Sequence, residues 1–260
     1  MILHYSHRGK SWKADLSKPM DVAIPMGVEG PRAWYVAPPQ ITPVMENGFV
    51  GSIALGGKVN FFNVHFNPHG NGTHTETLGH IDPNHFPISQ WNGPFIAHAL
   101  LISVEPTVIE KELGKDSVIL WNQIEEEVEK LRPTALIIRT LPNRTEKWNC
   151  NYSNSHFPYL EATIGDNLNR LGVLHLLVDL PSVDREQDGG LLECHHAFWG
   201  FPENPRYDAT ITELIFVKDE VKDGLYCLFL QPPSFQNDAA PSRPLIYPTT
   251  TLAGDIEESF

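Results

Sequence analysis

Thr134-Ala-Leu-Ile-Ile-Arg-Thr140 and Val173-Leu-His-Leu-Leu-Val-Asp179 are the stretches on which the fold turns. Each is a continuous apolar run of strand length, the pattern of a strand buried on both faces. Between them, from Pro158 to Leu171, the residues Leu160, Ile164, Leu168 and Leu171 recur at helical spacing, and Gly172 follows as a C-terminal cap. Strand, helix and buried strand in succession predict a βαβ unit with parallel pairing. Just upstream, Trp121, Ile124, Val128 and Leu131 keep one face of another helix. Glu125, Glu126, Glu127 and Glu129 lie between them, and Pro133 ends the run.

Further out the pattern changes. Ala209 to Val217 and Leu225 to Leu230 read as strands, and the turn signal Asp223-Gly224 between them predicts a hairpin. The first ~100 residues are rich in Pro, Gly and aromatics, with short apolar runs and turn signals at Glu46-Asn47-Gly48 and Gly56-Gly57. They predict strands and long loops. No repeat, low-complexity tract or dividing linker interrupts residues 1–260, so one α/β domain with mixed sheets and two main helices is expected. The two helices disfavour a pure β-barrel, such as a cupin-like metal oxygenase.

A hydrophobic share of 41% and a charged share of 20% describe an ordinary globular chain. A net charge of −13 argues against nucleic acid as a partner. No run approaches the ~20 apolar residues of a membrane span, and the N-terminus lacks an apolar core of signal-peptide length. Cys150, Cys194 and Cys227 are odd in number and lack zinc-ribbon spacing, so reduced thiols in a cytoplasmic setting are expected, with Cys194 a buried thiol.

The chemistry concentrates elsewhere. Of twelve histidines, five fall between His65 and His85. The segment His69-Gly-Asn-Gly-Thr-His74-Thr-Glu76 offers imidazole and carboxylate, the donors that zinc, manganese and iron take. Side chains two apart on an extended chain share a face, so His74 and Glu76 project together, as does His80 if the strand stays regular. Gly70 and Gly72 permit positive φ and a loop that swings His69 to the same point. Glu193-Cys194-His195-His196 is a second cluster. Glu213, inside an apolar run, is either a buried ligand or an outward-facing residue.

These residues resemble the metal-dependent cyclase-like hydrolases, a family that includes bacterial kynurenine formamidase and isatin hydrolase. The family motif is H-x-G-T-H-x-D-x-P-x-H. Gly72, Thr73, His74 and His80 match it, Glu76 stands for the Asp, and Leu78 stands for the Pro. At the first ligand position this chain has Gly70, with His69 one residue earlier. Asp15-Leu-Ser17-Lys-Pro19, Asp179-Leu-Pro-Ser182-Val-Asp184, His195-His196-Ala-Phe-Trp199 and Glu213-Leu-Ile resemble later family segments in the right order. The likeness runs over roughly residues 12 to 250.

The resemblance implies a swivelling β/β/α fold, a homo-oligomer (often a dimer) and one or two divalent metals, zinc or manganese. It implies metal ligands at His69, His74, Glu76, His195 and Glu213, with His196 an alternative to His195, and His80 as the catalytic general base. The implied reaction is hydrolysis of a carbon–nitrogen bond in a small amide, as an arylformamidase converts N-formylkynurenine to kynurenine in tryptophan catabolism. Isatin, another cyclic amide or a lactone are alternative substrates, and a degenerate metal-binding protein is a third reading. Trp34, Tyr35, Phe66 and Trp199 are candidates for an aromatic wall around the substrate. Asn151 to Asn154 would place polar groups at the N-terminus of the second helix. Pro83 and Pro87 put His85 in a rigid, structural turn.

Overall fold

The computed structural model describes residues 1–111 and 114–252. Its centre is an eleven-stranded mixed sheet. Ten of its strands are labelled here: β1 Ile2–His7, β2 Lys10–Asp15, β3 His74–Glu76, β4 Ile96–Val104, β5 Ala135–Thr140, β6 His175–Val178, β7 Thr210–Glu213, β8 Gly224–Phe229, β9 Ala239–Pro241 and β10 Leu245–Thr251. Across the sheet they run β1-β2-β10-β8-β4-β5-β6-β7-β3-β9. From β4 to β7 the four neighbours are parallel, and both flanks are antiparallel.

The sequence pattern explains the centre. All six residues of β5 are buried, and alternate side chains go to opposite faces. Leu136 and Ile138 join the larger core, with Ile164, Leu168 and Phe198. Ala135 and Ile137 join a second core with Val22, Tyr226 and Ile246. Each fully buried aliphatic side chain stabilises the fold by about 1.5–3 kcal/mol, so a strand covered on both faces must be apolar throughout.

Helix α1 (Glu125–Leu131) follows a 3₁₀ turn at Trp121–Gln123, so the expected helix is two pieces. Helix α2 begins at Ala162, not Pro158, because Tyr159–Leu160 pairs in parallel with Gly114–Ile119 in a small three-stranded sheet. It ends at Gly172 in the left-handed conformation, as expected. A short third helix, α3 (Glu193–Trp199), was not anticipated.

The expected hairpin of residues 209–230 does not form. β7 lies between β6 and β3, and β8 lies between β4 and β10. The intervening Ile215 and Val217 are fully buried in the second core, so the chain crosses under the sheet rather than turning at Asp223-Gly224. Among the described residues, no helix is long and apolar enough to cross a membrane.

Gly165 sets the contact between α2 and α3. A Cβ there would lie 2.7 Å from the Cys194 carbonyl oxygen and 2.8 Å from Ala197 Cβ. Gly165→Ala should therefore destabilise the protein by about 1–3 kcal/mol through overpacking, despite the gain of about 1 kcal/mol in helix propensity. Thermal unfolding reads the sign directly: a raised melting temperature would mean that the two helices do not meet so closely.

Candidate metal centre

The site begins with the three residues of β3, inserted antiparallel between β7 and β9. Period two puts His74 and Glu76 on one face. Thr75 faces the other way and shares hydrogen bonds of 2.8 Å with the hydroxyls of Thr212 and Ser242. Register places Glu213 of β7 opposite His74, and His74 Nε2 lies 3.4 Å from Glu213 Oε2. Glu213 also accepts a hydrogen bond from the Val183 backbone N–H at 3.2 Å. It is a buried residue, not an outward-facing one.

His69 does reach this face. Asn67 and Asn71 fold the loop before β3: the Gly70 N–H donates to Asn67 Oδ1 at 3.0 Å, and the Asn67 N–H donates to Asn71 Oδ1 at 2.8 Å. Gly72 has the expected positive φ of 101°. Gly70 does not; its role is close approach, since a Cβ there would lie 2.5 Å from Val36 Cγ2. A larger side chain has no room at residue 70, and the imidazole of the neighbouring His69 enters the cluster. His69 Nδ1 is 3.0 Å from Glu76 Oε2, and its Nε2 is 2.7 Å from Asp238 Oδ2.

His80 arrives by a turn and not by a continued strand. β3 stops at Glu76, and Leu78–His80 is a 3₁₀ turn capped by Thr77, whose hydroxyl accepts from the Gly79 N–H at 3.3 Å. The turn brings His80 Nδ1 to 3.4 Å from Asp238 Oδ2 and 4.0 Å from Glu76 Oε2. Asp238 itself was missed by sequence reading. It sits in a polar stretch just before β9, and only the pairing of β9 with β3 brings it here.

His195, on α3, is the member of its pair that faces the cluster. Its Nδ1 is 2.5 Å from Asp184 Oδ2, which also accepts the His195 backbone N–H, and its Nε2 is 3.0 Å from Glu76 Oε1. A carboxylate on one ring nitrogen fixes the orientation of the other. His196 points away and bonds the Phe201 carbonyl at 3.2 Å. Cys194 is fully buried, and burial pushes its thiol well up.

The site carries more carboxylate than its surroundings satisfy. His74 Nε2 and Glu76 Oε2 are buried without a hydrogen-bond partner; His69 Nδ1 comes close to that oxygen, but not along the direction of a hydrogen bond. Burial disfavours charge on Glu76 and on His69. The flanking histidines nonetheless hold Glu76 well below the usual carboxylate range, and Asp238 and Glu76 push His69 up to about 10. Candidate ligand atoms of His69, His74 and Glu76 lie within 4.8 Å of one another, as do those of Glu76, His80 and His195, and those of His69, His80 and Asp238. Orphaned nitrogen and oxygen atoms amid an acidic, imidazole-rich donor set fit a divalent cation.

Above the cluster lies a cavity of about 290 Å³, lined in part by Trp34, Asn67, His69, His80, Ser182 and Arg185. Trp34 and Tyr35 both have left-handed backbones, with φ of 57° and 59°, a strained turn of the kind found at ligand sites. Trp34 alone of the four proposed wall aromatics is among the lining residues. Phe66 stacks on Phe235 and does not line the cavity. Trp199 is fully buried, donates to the Ala209 carbonyl at 3.1 Å and backs the His195 ring. Asn151–Asn154 is not at the start of α2; it braces the rim, where the Asn154 N–H donates to Glu186 Oε1 at 2.6 Å. His85 has a left-handed backbone with φ of 53°, in a turn whose N–H bonds the Asp82 carbonyl at 3.0 Å.

The putative cyclase family matches residues 14–185, and the chain belongs to that family. Several solved structures are similar to it. One is a potential metal-dependent hydrolase with cyclase activity, at a TM-score of 0.62 and 15% identity, covering 88% of this chain and 97% of that one. Another is an isatin hydrolase bound to the product analogue thioisatinate, at a TM-score of 0.63 and 14% identity, covering 90% and 93%. A third is isatin hydrolase A from Labrenzia aggregata bound to benzyl benzoate, at a TM-score of 0.64 and 12% identity, covering 88% and 93%. At such identities the likeness is one of fold. A search of curated proteins finds no match.

Metal analysis checks the site. Protein purified without chelator should carry about one or two equivalents of divalent metal, and chelation should lower its melting temperature. Glu76→Gln should reduce metal content at least tenfold while the apo protein stays folded. Undiminished metal in that variant, or none in the wild type, would dismiss this cluster as the centre.

Proposed function

We propose that the protein is a metal-dependent hydrolase of a small amide, acting on a carbon–nitrogen bond outside peptides. Arylformamidase-like conversion of N-formylkynurenine to kynurenine, a step of tryptophan catabolism, is the leading reaction. The observation that carries this reading is the pair of unpartnered buried atoms, His74 Nε2 and Glu76 Oε2, beneath a cavity large enough for a small molecule.

His69, His74, Glu76, His195 and Glu213 would hold the cation, zinc in first place and manganese otherwise, as one ion or two. Such a cation lowers the pKa of a water molecule from 15.7 toward about 7 and polarises a carbonyl oxygen. The protein supplies the remaining functions. Asp184 locks His195 through Nδ1 and leaves Nε2 for the site. Asp238 faces Nδ1 of His80, so Nε2 of His80 is the atom that takes a proton from the attacking water and returns it to the departing nitrogen. His80 is the more open of these imidazoles, with 30% of its side chain exposed, as a group that meets solvent and substrate must be. Trp34 flanks the substrate with an apolar face.

A second substrate reading, isatin or another cyclic amide or lactone, is favoured by the isatin hydrolases among the similar folds. Initial rates on N-formylkynurenine, isatin and an aryl lactone separate the two. His80→Ala should keep its metal and lose about 10²–10⁴ in kcat. Loss of metal in that variant would make His80 a ligand, and full metal with no turnover of any of the three by the wild type would leave a binding protein.

The same proposal includes assembly as a homodimer in the cytoplasm. Residues 38–66 form an arm in which Gln40–Pro43 pairs with Phe62–His65 and Met45–Glu46 pairs with Phe49–Val50. Ile41, Met45, Phe49, Ile53, Leu55, Val59, Phe61, Phe62 and Val64 are all exposed on it. Apolar surface of this extent on one element is the mark of an interface. Glu46 and Lys58 are its charged residues, in a chain of net charge −13, so two copies can meet here without strong repulsion. Light scattering after gel filtration should give twice the chain mass, and Phe61→Lys with Val64→Lys should halve it. A monomeric wild type would end this part of the proposal.

A further inference from the structure

Among the described residues lining the cavity, Arg185 carries the guanidinium, and nothing in the hydrolytic chemistry above requires it. It follows Asp184 in the chain, so the loop that orients His195 also delivers Arg185 to the cavity. Arg185 also lines two neighbouring cavities together with Asp116 and Gln187, and these two residues hold its head. Nη2 donates to Asp116 Oδ1 at 3.1 Å and Nη1 to the Gln187 carbonyl at 3.3 Å. Asp116, itself almost buried, accepts the Tyr159 hydroxyl at 2.9 Å on its other oxygen. Two of five N–H donors are thus engaged, and 42% of the side chain stays open to solvent.

The acidic neighbours on the same rim are already bonded. Glu186 Oε1 accepts the Asn154 N–H at 2.6 Å and the Tyr35 hydroxyl at 3.3 Å. Asp188 accepts the N–H groups of Gly190 and Leu192, each at 2.7 Å. Those two carboxylates close the rim loops, while Arg185 keeps three N–H donors without a partner among the described residues. A guanidinium held by one carboxylate and one carbonyl, with three N–H groups left over, suits an anion.

We propose that Arg185 is a specificity-determining residue that binds a carboxylate on the substrate, so that this site prefers acyl amides bearing an anionic group to neutral ones of the same shape. The inference rests on the hydrolase reading for its substrate class but is tested by binding. N-formylanthranilate and formanilide are aryl formamides that differ in one carboxylate. Calorimetry on the metal-replete protein should find tighter binding of N-formylanthranilate. Arg185→Gln should weaken it by about 10–100-fold, the worth of a charge-assisted hydrogen bond, and leave formanilide within about twofold. Arg185→Lys should recover part of the loss.

Equal losses for both ligands would make Arg185 a packing residue and overturn the proposal. So would unchanged binding of N-formylanthranilate in Arg185→Gln, or failure of the wild type to bind it. A protein that binds N-formylanthranilate through Arg185 but hydrolyses no amide would instead count against the hydrolase reading alone. Asp116→Asn separates positioning from contact: it should weaken N-formylanthranilate by less than Arg185→Gln does, and again spare formanilide.

Discussion

Four carboxylates, from Glu76, Asp184, Glu213 and Asp238, converge on four imidazoles at one end of the central sheet, and most of them are shut away from water. Burying an unpaired charge costs several kcal/mol, and partnership among the groups offsets that only when each lone pair is met. Here the accounts do not balance within the chain, since His74 Nε2 and Glu76 Oε2 are left over. A divalent cation resolves both deficits at once. The geometry of the surrounding elements follows from the need to hold these groups together.

The three-residue strand β3 is the pivot. Its antiparallel partners on each side deliver Glu213 and Asp238, and its own alternation delivers His74 and Glu76. Glycine permits the rest. Gly70 lets the loop press against Val36, so that His69 turns in, and Gly79 lies against the Phe86 carbonyl, where a Cβ would come within 2.0 Å, so that the turn can carry His80. On the opposite side Gly165 lets α3 close on α2 and seats His195. Backbone approach at three small residues therefore places three imidazoles.

Reactive groups and selective groups come from different parts of the fold. The cluster is supplied by the sheet edge, α3 and the short segments around β3, whose positions the core enforces. The cavity walls come from Trp34, Asn67 and the loop of Ser182 to Leu192, which is tied partly to itself through Asp188 and partly to neighbouring loops through Glu186 and Arg185. A rigid scaffold with a variable rim lets substrate preference shift without disturbing the centre. The apolar arm emerges between Tyr35 and His69, beside that same rim.

The sequence by itself determined the central parallel strands and α2, because continuous apolar runs and a Gly-capped helical stripe have few other uses. It also determined that His74 and Glu76 lie on one face, since alternation along three extended residues is local geometry. The family motif extended this to His80, and later segments resembling the family pointed to His195 and Glu213 in chain order. Only the tertiary structure decided the remainder. Asp238 joins the site through a strand pairing across more than half the chain, for which no local pattern exists. His69 reaches the cluster through a loop that packs Gly70 against Val36, where no larger side chain fits, and His195 faces the cluster in place of His196 by the rotation of a helix that the sequence did not announce. Trp199, legible only as an aromatic, lies behind the site and not in its wall, because burial on the inner face of α3 leaves it no path to the cavity. The misplaced hairpin has the same cause: Ile215 and Val217 gain more by entering the second core than Asp223-Gly224 gains by forming a local turn.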